Sequence, residues 1–207
     1  NMELGWKTMF FNGNLRFNGA LYRIDWDNIQ VAVLDSANIS FLTFTDNVAD
    51  AQITGIELDA AWTATDHLTL FGALSNNHSE VTGLTNGLGF TLAPVGSELA
   101  LSPELNYSLR ARYEWSVKDI DAYSQVTMQY TDESYSSLYL AAREKQDDYT
   151  ILNASLGASF DSWGVELYVD NLTDTLAEKY INTIDDIRRI TTNRPRTIGL
   201  RVSYEYY

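Results

Sequence analysis

Few residues in this sequence are of types that do chemistry, and their spacing says which chemistry is open to them. The two histidines, His67 and His78, fall in separate segments. His78-Ser79-Glu80 carries the residue types of an acyl-transfer site, but no partner set accompanies it at the spacing of a nucleophile, base and orienting carboxylate. Asp132-Glu133, Asp147-Asp148 and Asp185-Asp186 are paired carboxylates. None has the Asp-rich spacing and central glycine of a calcium loop, so solvated loop charge is the favoured reading over Ca²⁺ binding. The chain therefore reads as a non-enzyme with no cofactor and no metal site. A binding group remains between two of the acidic pairs, where Tyr135, Ser136, Ser137, Tyr139 and Arg143 share one long connection. Aromatic rings among adaptable polar neighbours suit capture of a small molecule when a rigid scaffold holds them. Tyr135, Tyr139 and Arg143 are the expected ligand-binding residues.

The composition narrows the scaffold. Among 207 residues there are no cysteines, 13 tyrosines and 5 tryptophans, with a formal net charge of −14. Zero cysteine excludes a disulfide framework and thiolate metal sites. Strong acidity argues against nucleic-acid binding, which needs a basic footprint. No apolar run reaches the roughly 18–20 residues of a membrane-spanning helix. Asn1 opens directly into a strand pattern, which predicts a mature or truncated piece rather than a complete secreted precursor.

Alternation with period two runs through the chain. Glu3 to Phe11 places Leu4, Trp6 and Phe10 on one face, and Asn12-Gly13 then signals a hairpin. Leu15, Phe17, Gly19 and Leu21 continue the apolar face. From Arg23 to Asp27 the pattern inverts, with Tyr22, Ile24 and Trp26 as the apolar set, through either a bulge or a strand rising beyond a membrane. Asp35 to Asp50 reads as a polar connection. Strands follow over Ile53–Trp62 and Leu68–Leu74, then a long connection over Thr82–Pro103. From Leu105 to Val117 the alternation is clearest, with Asn106, Ser108, Arg110, Arg112 and Glu114 opposite the apolar set. Ile120–Met128 returns across Lys118-Asp119, and Thr131–Asp148 is a third long connection. Leu152–Phe160 and Trp163–Val169 flank Asp161-Ser162, and a fourth long connection leads to the terminal strand. About nine strands result, joined alternately by tight turns and long loops.

Two-residue hairpins make the flanking residues direct partners, so their side chains share a face. Val117 then meets Ile120, Phe160 meets Trp163, and Phe10 faces Leu15, and every pair keeps apolar with apolar. Phe10, Trp62, Trp115, Phe160 and Trp163 gather at the short-turn end. Tyr22, Trp26, Tyr107, Tyr130 and Tyr149 lie near the long-loop end. Two aromatic bands separated by Leu, Val and Ala match the girdles of a membrane barrel. The alternative, a soluble barrel or sandwich with its apolar face inward, has the same periodicity.

The last residues are the most specific. After Arg194-Pro195-Arg196, the segment from Thr197 to Tyr207 places Ile198, Leu200, Val202, Tyr204 and Tyr206 on one face. Thr197, Gly199, Val202, Tyr204 and Tyr207 resemble the C-terminal assembly signal of bacterial outer-membrane β-barrels. Val169-Asp170-Asn171-Leu172-Thr173-Asp174 and Arg194-Pro195-Arg196-Thr197 resemble the closing motifs of TonB-dependent receptors, in which an N-L-x-D turn and a P-R-T strand start flank the last extracellular loop.

The resemblance implies an all-β fold: an antiparallel transmembrane barrel, here its last nine or so strands out of a family total of 22. All 207 residues would belong to that one barrel domain, with the plug domain and the N-terminal strands outside this chain. It also implies a bacterial outer-membrane location and TonB-dependent uptake of a scarce ligand, with a siderophore-type iron chelate first. A passive porin or adhesin-like barrel is the alternative. The implied partners are outer-membrane lipid, an extracellular small molecule, the TonB complex through the missing N-terminal region, and the barrel assembly machinery through the C-terminal strand.

Overall fold

In the computed structural model, residues 1–34, 43–85, 91–184 and 187–206 are described. Nine strands form one antiparallel sheet: β1 (Met2–Phe10), β2 (Leu15–Leu34), β3 (Thr43–Thr63), β4 (Leu68–Leu84), β5 (Leu105–Val117), β6 (Ile120–Thr131), β9 (Tyr149–Phe160), β10 (Trp163–Asp170) and β13 (Thr197–Tyr204). Two short ladders sit in the long connections: β7 (Ser134–Tyr135) with β8 (Lys145–Gln146), and β11 (Glu178–Ile184) with β12 (Ile187–Thr192). Each strand pairs with its neighbour in order, and β1 and β13 form the two outer edges. Asn171 and Asp174 are among the residues with left-handed backbone, at the turn that leaves β10.

The expected hairpin pairs are present. Phe10 faces Leu15, Val117 faces Ile120, and Phe160 faces Trp163. Lys118 and Asp161 carry φ of 57° and 47° at the first turn position, the left-handed backbone that tight hairpins use. The first hairpin loop is longer than its Asn-Gly signal suggests, because Phe11 at φ 54° joins Asn12 and Gly13 in the left-handed region.

Register makes the apolar face continuous. Leu109 pairs with Met128, Met128 with Leu152, Leu156 with Leu167, and Leu167 with Leu200. These residues are not a core. In the middle of the sheet Leu109 is 51% exposed, Val126 52%, Leu156 51% and Leu167 49%. Side chains of the opposite face, among them Lys7, Asn18, Glu57, Ser75, Asn106 and Gln129, line a trough of about 890 Å³. A soluble barrel would bury the apolar rows; here they face outward and the polar rows face in, the arrangement of a strand that crosses lipid. Cysteine-linked probes at Leu109 and Ala111 are accordingly expected to be quenched by lipid-borne quenchers, and probes at Arg110 and Arg112 to be spared. Quenching at the arginine positions instead would invert the barrel.

The inversion after Leu21 has a structural cause. Pairing between β2 and β3 is regular from Leu15–Trp62 to Trp26–Ala51, so no bulge lies where the pattern flips. Both strands simply continue past the lipid-facing band. Outward positions there are polar, with Arg23 bound to Asp25 at 3.0 Å and Gln52 donating to Asp25 at 3.1 Å. Inward positions become apolar and meet a small core of Ile29, Val48, Ala49, Ala51, Val81 and Leu99. The bulge comes later: register shifts between Trp26 and Ile29, Asn28 takes φ 57°, and its N–H donates to Asp50 Oδ1 at 2.7 Å. The polar connection over Asp35–Asp50 is therefore shorter than the sequence suggests, since strand structure reaches Leu34 and resumes at Thr43. Likewise β4 runs to Leu84, into the stretch read as loop.

The aromatic bands need one correction. Tyr107 and Tyr130 stack outward, 5.1 Å between ring centres, and Trp163 lies 4.9 Å from Tyr204 at the other end. Tyr22 belongs to the inward rows instead, where its hydroxyl bonds Asn77, and Trp26 and Tyr149 follow the same inward register.

Candidate functional site

Two long connections on the same side of the sheet interlock. Residues 91–101 and 135–143 exchange backbone bonds: Leu140 N–H donates to Thr91 O at 2.9 Å, Ala93 N–H to Leu138 O at 2.8 Å, and Leu101 N–H to Tyr135 O at 2.8 Å. Leu92 and Leu138 pack on the core beneath. The apolar positions Leu92, Leu99 and Leu138 therefore hold two loops down over the extended ends of β2, β3 and β4. This gives the connection a fixed backbone, which capture requires.

Within this unit the three expected ligand residues have definite places. Arg143 lies with its guanidinium 3.9 Å from the centre of the Tyr135 ring, and donates to Ser137 O and Glu98 O, each at 2.9 Å. Burial lowers the Arg143 pKa from its ordinary value, yet the side chain remains a cation held by carbonyl oxygens and a ring face. Tyr139 forms an isolated bridge with Leu92, and burial pushes its hydroxyl pKa up. All three side chains are half-buried. Tyr135 and Arg143 thus come together, and Tyr139 sits on the neighbouring contact between the loops. Glu98, whose carbonyl anchors Arg143, gave no signal in the sequence, because backbone acceptors carry no residue type.

The other chemistry-bearing groups are dispersed. Asp132 accepts a bond from the Tyr130 hydroxyl at 3.1 Å, and Glu133 binds Lys145 at 2.6 Å, so that acidic pair is used in local pairing. Asp147 and Asp148 are exposed, and Asp185-Asp186 lies outside the described residues. Among the described residues no group of three or more His, Asp or Glu converges as for a metal. His67 packs near Tyr113 at a short turn, 5.9 Å between ring centres, while His78 pairs with Thr54 on the far side.

The inward wall carries a linked row that the sequence revealed only in part. Arg112 binds Glu114 at 2.8 Å and lies 3.7 Å above the Tyr123 ring. The Tyr123 hydroxyl donates to Glu166 at 2.9 Å, and Glu166 forms an ion pair with Arg201. Tyr123 reaches from β6 to β10 by crossing β9, and it can do so only because Gly157 stands beneath its ring: a Cβ there would run into it. The signal was a glycine inside an otherwise regular strand. Gly199 sits in the same way under Tyr168.

The terminal motifs meet in space. Asn171 is buried, and its amide donates to Thr175 O at 2.9 Å and Arg194 O at 3.1 Å, while its oxygen accepts from Thr175 N–H at 3.0 Å. Asp174 accepts from Arg196 N–H at 2.8 Å. The Asn171–Asp174 turn and the Arg194–Thr197 lead-in therefore close the base of the last long connection. Of the assembly-signal positions, Thr197, Gly199, Val202 and Tyr204 lie in β13, with Val202 and Tyr204 on the outward face beside Val165 and Trp163. Tyr207 is outside the described residues.

A family model described as TonB dependent receptor-like, beta-barrel, matches residues 1–172. Among solved structures, the ferric yersiniabactin uptake receptor FyuA from Yersinia pestis superposes with a TM-score of 0.78 at 18% identity, over 99% of this chain and 29% of that one. The ferric-catecholate import receptor Fiu from E. coli K12, in its closed form, gives 0.72 at 22% identity, over 99% and 27%. The siderophore receptor PiuA from Acinetobacter baumannii gives 0.75 at 19% identity, over 99% and 28%. The chain thus spans less than a third of the length of each of these proteins.

Proposed function

This chain belongs to the TonB-dependent receptor-like β-barrel family, and from that premise we propose that it forms the C-terminal part of the barrel of an outer-membrane receptor importing a siderophore-type iron chelate. In this reading the plug, the TonB-contacting segment and the earlier strands belong to a region outside this chain. The unpaired edges of β1 and β13 are where those strands would close the barrel. The protein acts as a receptor and transporter, not an enzyme, in the bacterial outer membrane. Its β13 strand would be the handle for the barrel assembly machinery.

One observation carries the reading. A lipid-facing sheet supports, on one side, two loops fused by backbone bonds and a small core, with Tyr135, Tyr139 and Arg143 at their junction. A passive pore has no need of so rigid an apical unit, whereas a receptor profits from one because a preorganised site loses less entropy on binding. An iron chelate is supported as the ligand by the similar structures, which are a ferric yersiniabactin uptake receptor and a ferric-catecholate import receptor.

The full-length protein with Tyr135, Tyr139 and Arg143 all replaced by Ala is expected to bind its iron chelate about tenfold more weakly, the loss of one or two charge-assisted or aromatic contacts. Insertion, read as heat-modifiable migration on gels, should be unchanged. Arg143→Ala alone should act through the clamp and expose residues 91–101 to protease. Wild-type affinity in the triple variant would remove this connection from the site.

A further inference from the structure

We propose that Tyr168 braces the closing seam of the barrel: its hydroxyl crosses β13 and donates to a carboxylate or amide on the strand that pairs with β13, at the position directly opposite Gly199. The proposal rests on the receptor reading above, in which that strand belongs to the part of the barrel outside this chain.

Two complete braces of this kind stand on the same inner wall. Tyr22 in β2 is paired with Gly55 in β3, and Gly55 with Asn77 in β4. The Tyr22 hydroxyl passes over the glycine and donates to Asn77 Oδ1. Tyr123 in β6 is paired with Gly157 in β9, and Gly157 with Glu166 in β10. Its hydroxyl passes over the glycine and donates to Glu166 Oε1 at 2.9 Å. Each brace is therefore one rung of directly paired residues, a tyrosine, a glycine and an acceptor in that order. Neighbouring strands lie roughly 4.8 Å apart, so the acceptor stands about 10 Å from the tyrosine along the rung. A tyrosine lying flat on the sheet covers most of that span, but only where no Cβ rises beneath its ring.

Tyr168 and Gly199 repeat the first two members of the rung. Tyr168 in β10 is paired with Gly199 in β13, and the hydroxyl end of its ring lies over the glycine. All three tyrosines lean toward the strand that follows in the order of the sheet. For Tyr168 the third position of the rung falls beyond β13, which is an outer edge. Among the described residues its hydroxyl has no hydrogen-bond partner. The Arg201 guanidinium, 5.3 Å from the ring centre, is engaged by Glu166. A donor carried to the seam in this way fits an acceptor on the closing strand, and an apolar residue there would leave it unpaired.

The test uses the full-length receptor with Leu200→Cys, a position on the lipid face and clear of the Tyr168 ring. Oxidative cross-linking to single cysteines placed along the first barrel strand sets the register, and with it the residue opposite Gly199. We expect Asp, Glu, Asn or Gln there. Tyr168→Phe, and replacement of that opposing residue by Ala, should each speed loss of the heat-resistant folded form in urea about fivefold. Combined, they should act no faster than either alone, since both remove the same bond. Any other residue type opposite Gly199, an unchanged rate for Tyr168→Phe, or additive effects would overturn the brace and leave the receptor reading standing. Cross-linking of Leu200→Cys to cysteines within Met2–Phe10 of this chain would show the sheet closing on itself, and would overturn both.

Discussion

Gly157→Val is expected to cost the full-length barrel about 3 kcal/mol of stability. The Tyr123 ring lies over Gly157 on its way from β6 to β10, so any side chain there displaces it. Over-packing in a fitted site costs roughly 1–3 kcal/mol. Displacement also removes the Tyr123–Glu166 bond and the Arg112 stacking, and a lost bond to a charged group adds about 1.5–3 kcal/mol. Refolding into detergent micelles, followed by the fraction of heat-resistant folded form in urea, measures the loss. Tyr123→Ala in the same background should recover part of it, because the clash goes with the ring. If Gly157→Val folds like wild type, the ring does not cross β9.

Removal of the last residues should have the second large effect, and it should appear in cells rather than in vitro. Tyr207→Ala in the full-length protein is expected to reduce outer-membrane insertion several-fold, as loss of a recognition signal read by the assembly machinery. Refolding of the purified protein should be nearly normal. Gly199 requires a separate test, because the structure gives it a second role: the Tyr168 ring covers it. Gly199→Val should therefore disturb refolding as well as insertion, and Tyr168→Ala should rescue the refolding defect. Normal insertion and normal stability of Tyr207→Ala would remove Tyr207 from the signal. Failure of Tyr168→Ala to rescue Gly199→Val in vitro would mean that the ring is not the reason for the glycine.

Strands, pairing order and the polarity of the two faces were legible in the sequence because each depends on neighbours two residues apart or across a tight turn. Leu105 to Val117 alternates so regularly that its division into an apolar and a polar face needed no structure, and Phe10–Leu15, Val117–Ile120 and Phe160–Trp163 then set the register of three hairpins. The N-L-x-D and P-R-T segments were readable as motifs, and their bonds through Asn171 and Asp174 explain their spacing along the chain. Periodicity was silent on which face is buried, since a soluble barrel and a membrane barrel alternate identically. The curvature of the sheet decides it: Lys7, Glu57, Asn106 and Gln129 line the trough, while Leu109 and Val126 stay exposed on the opposite face.

Tertiary structure alone decided the rest, because the contacts involved join residues far apart in sequence. The inverted stretch from Tyr22 to Trp26 left a bulge and a strand rising beyond the membrane both open; it is a regular strand that continues past the lipid-facing band, with a packed core on its inner side. The place of Arg143 was not legible either, because its guanidinium is held by the Ser137 and Glu98 carbonyls, acceptors that no sequence pattern marks. Arg112, Tyr123, Glu166 and Arg201 come from four strands and form one row only because Gly157 lets a ring cross the strand between. A sequence fixes what each residue offers to its local neighbours. Which distant partner accepts the offer depends on the register and curvature of the sheet.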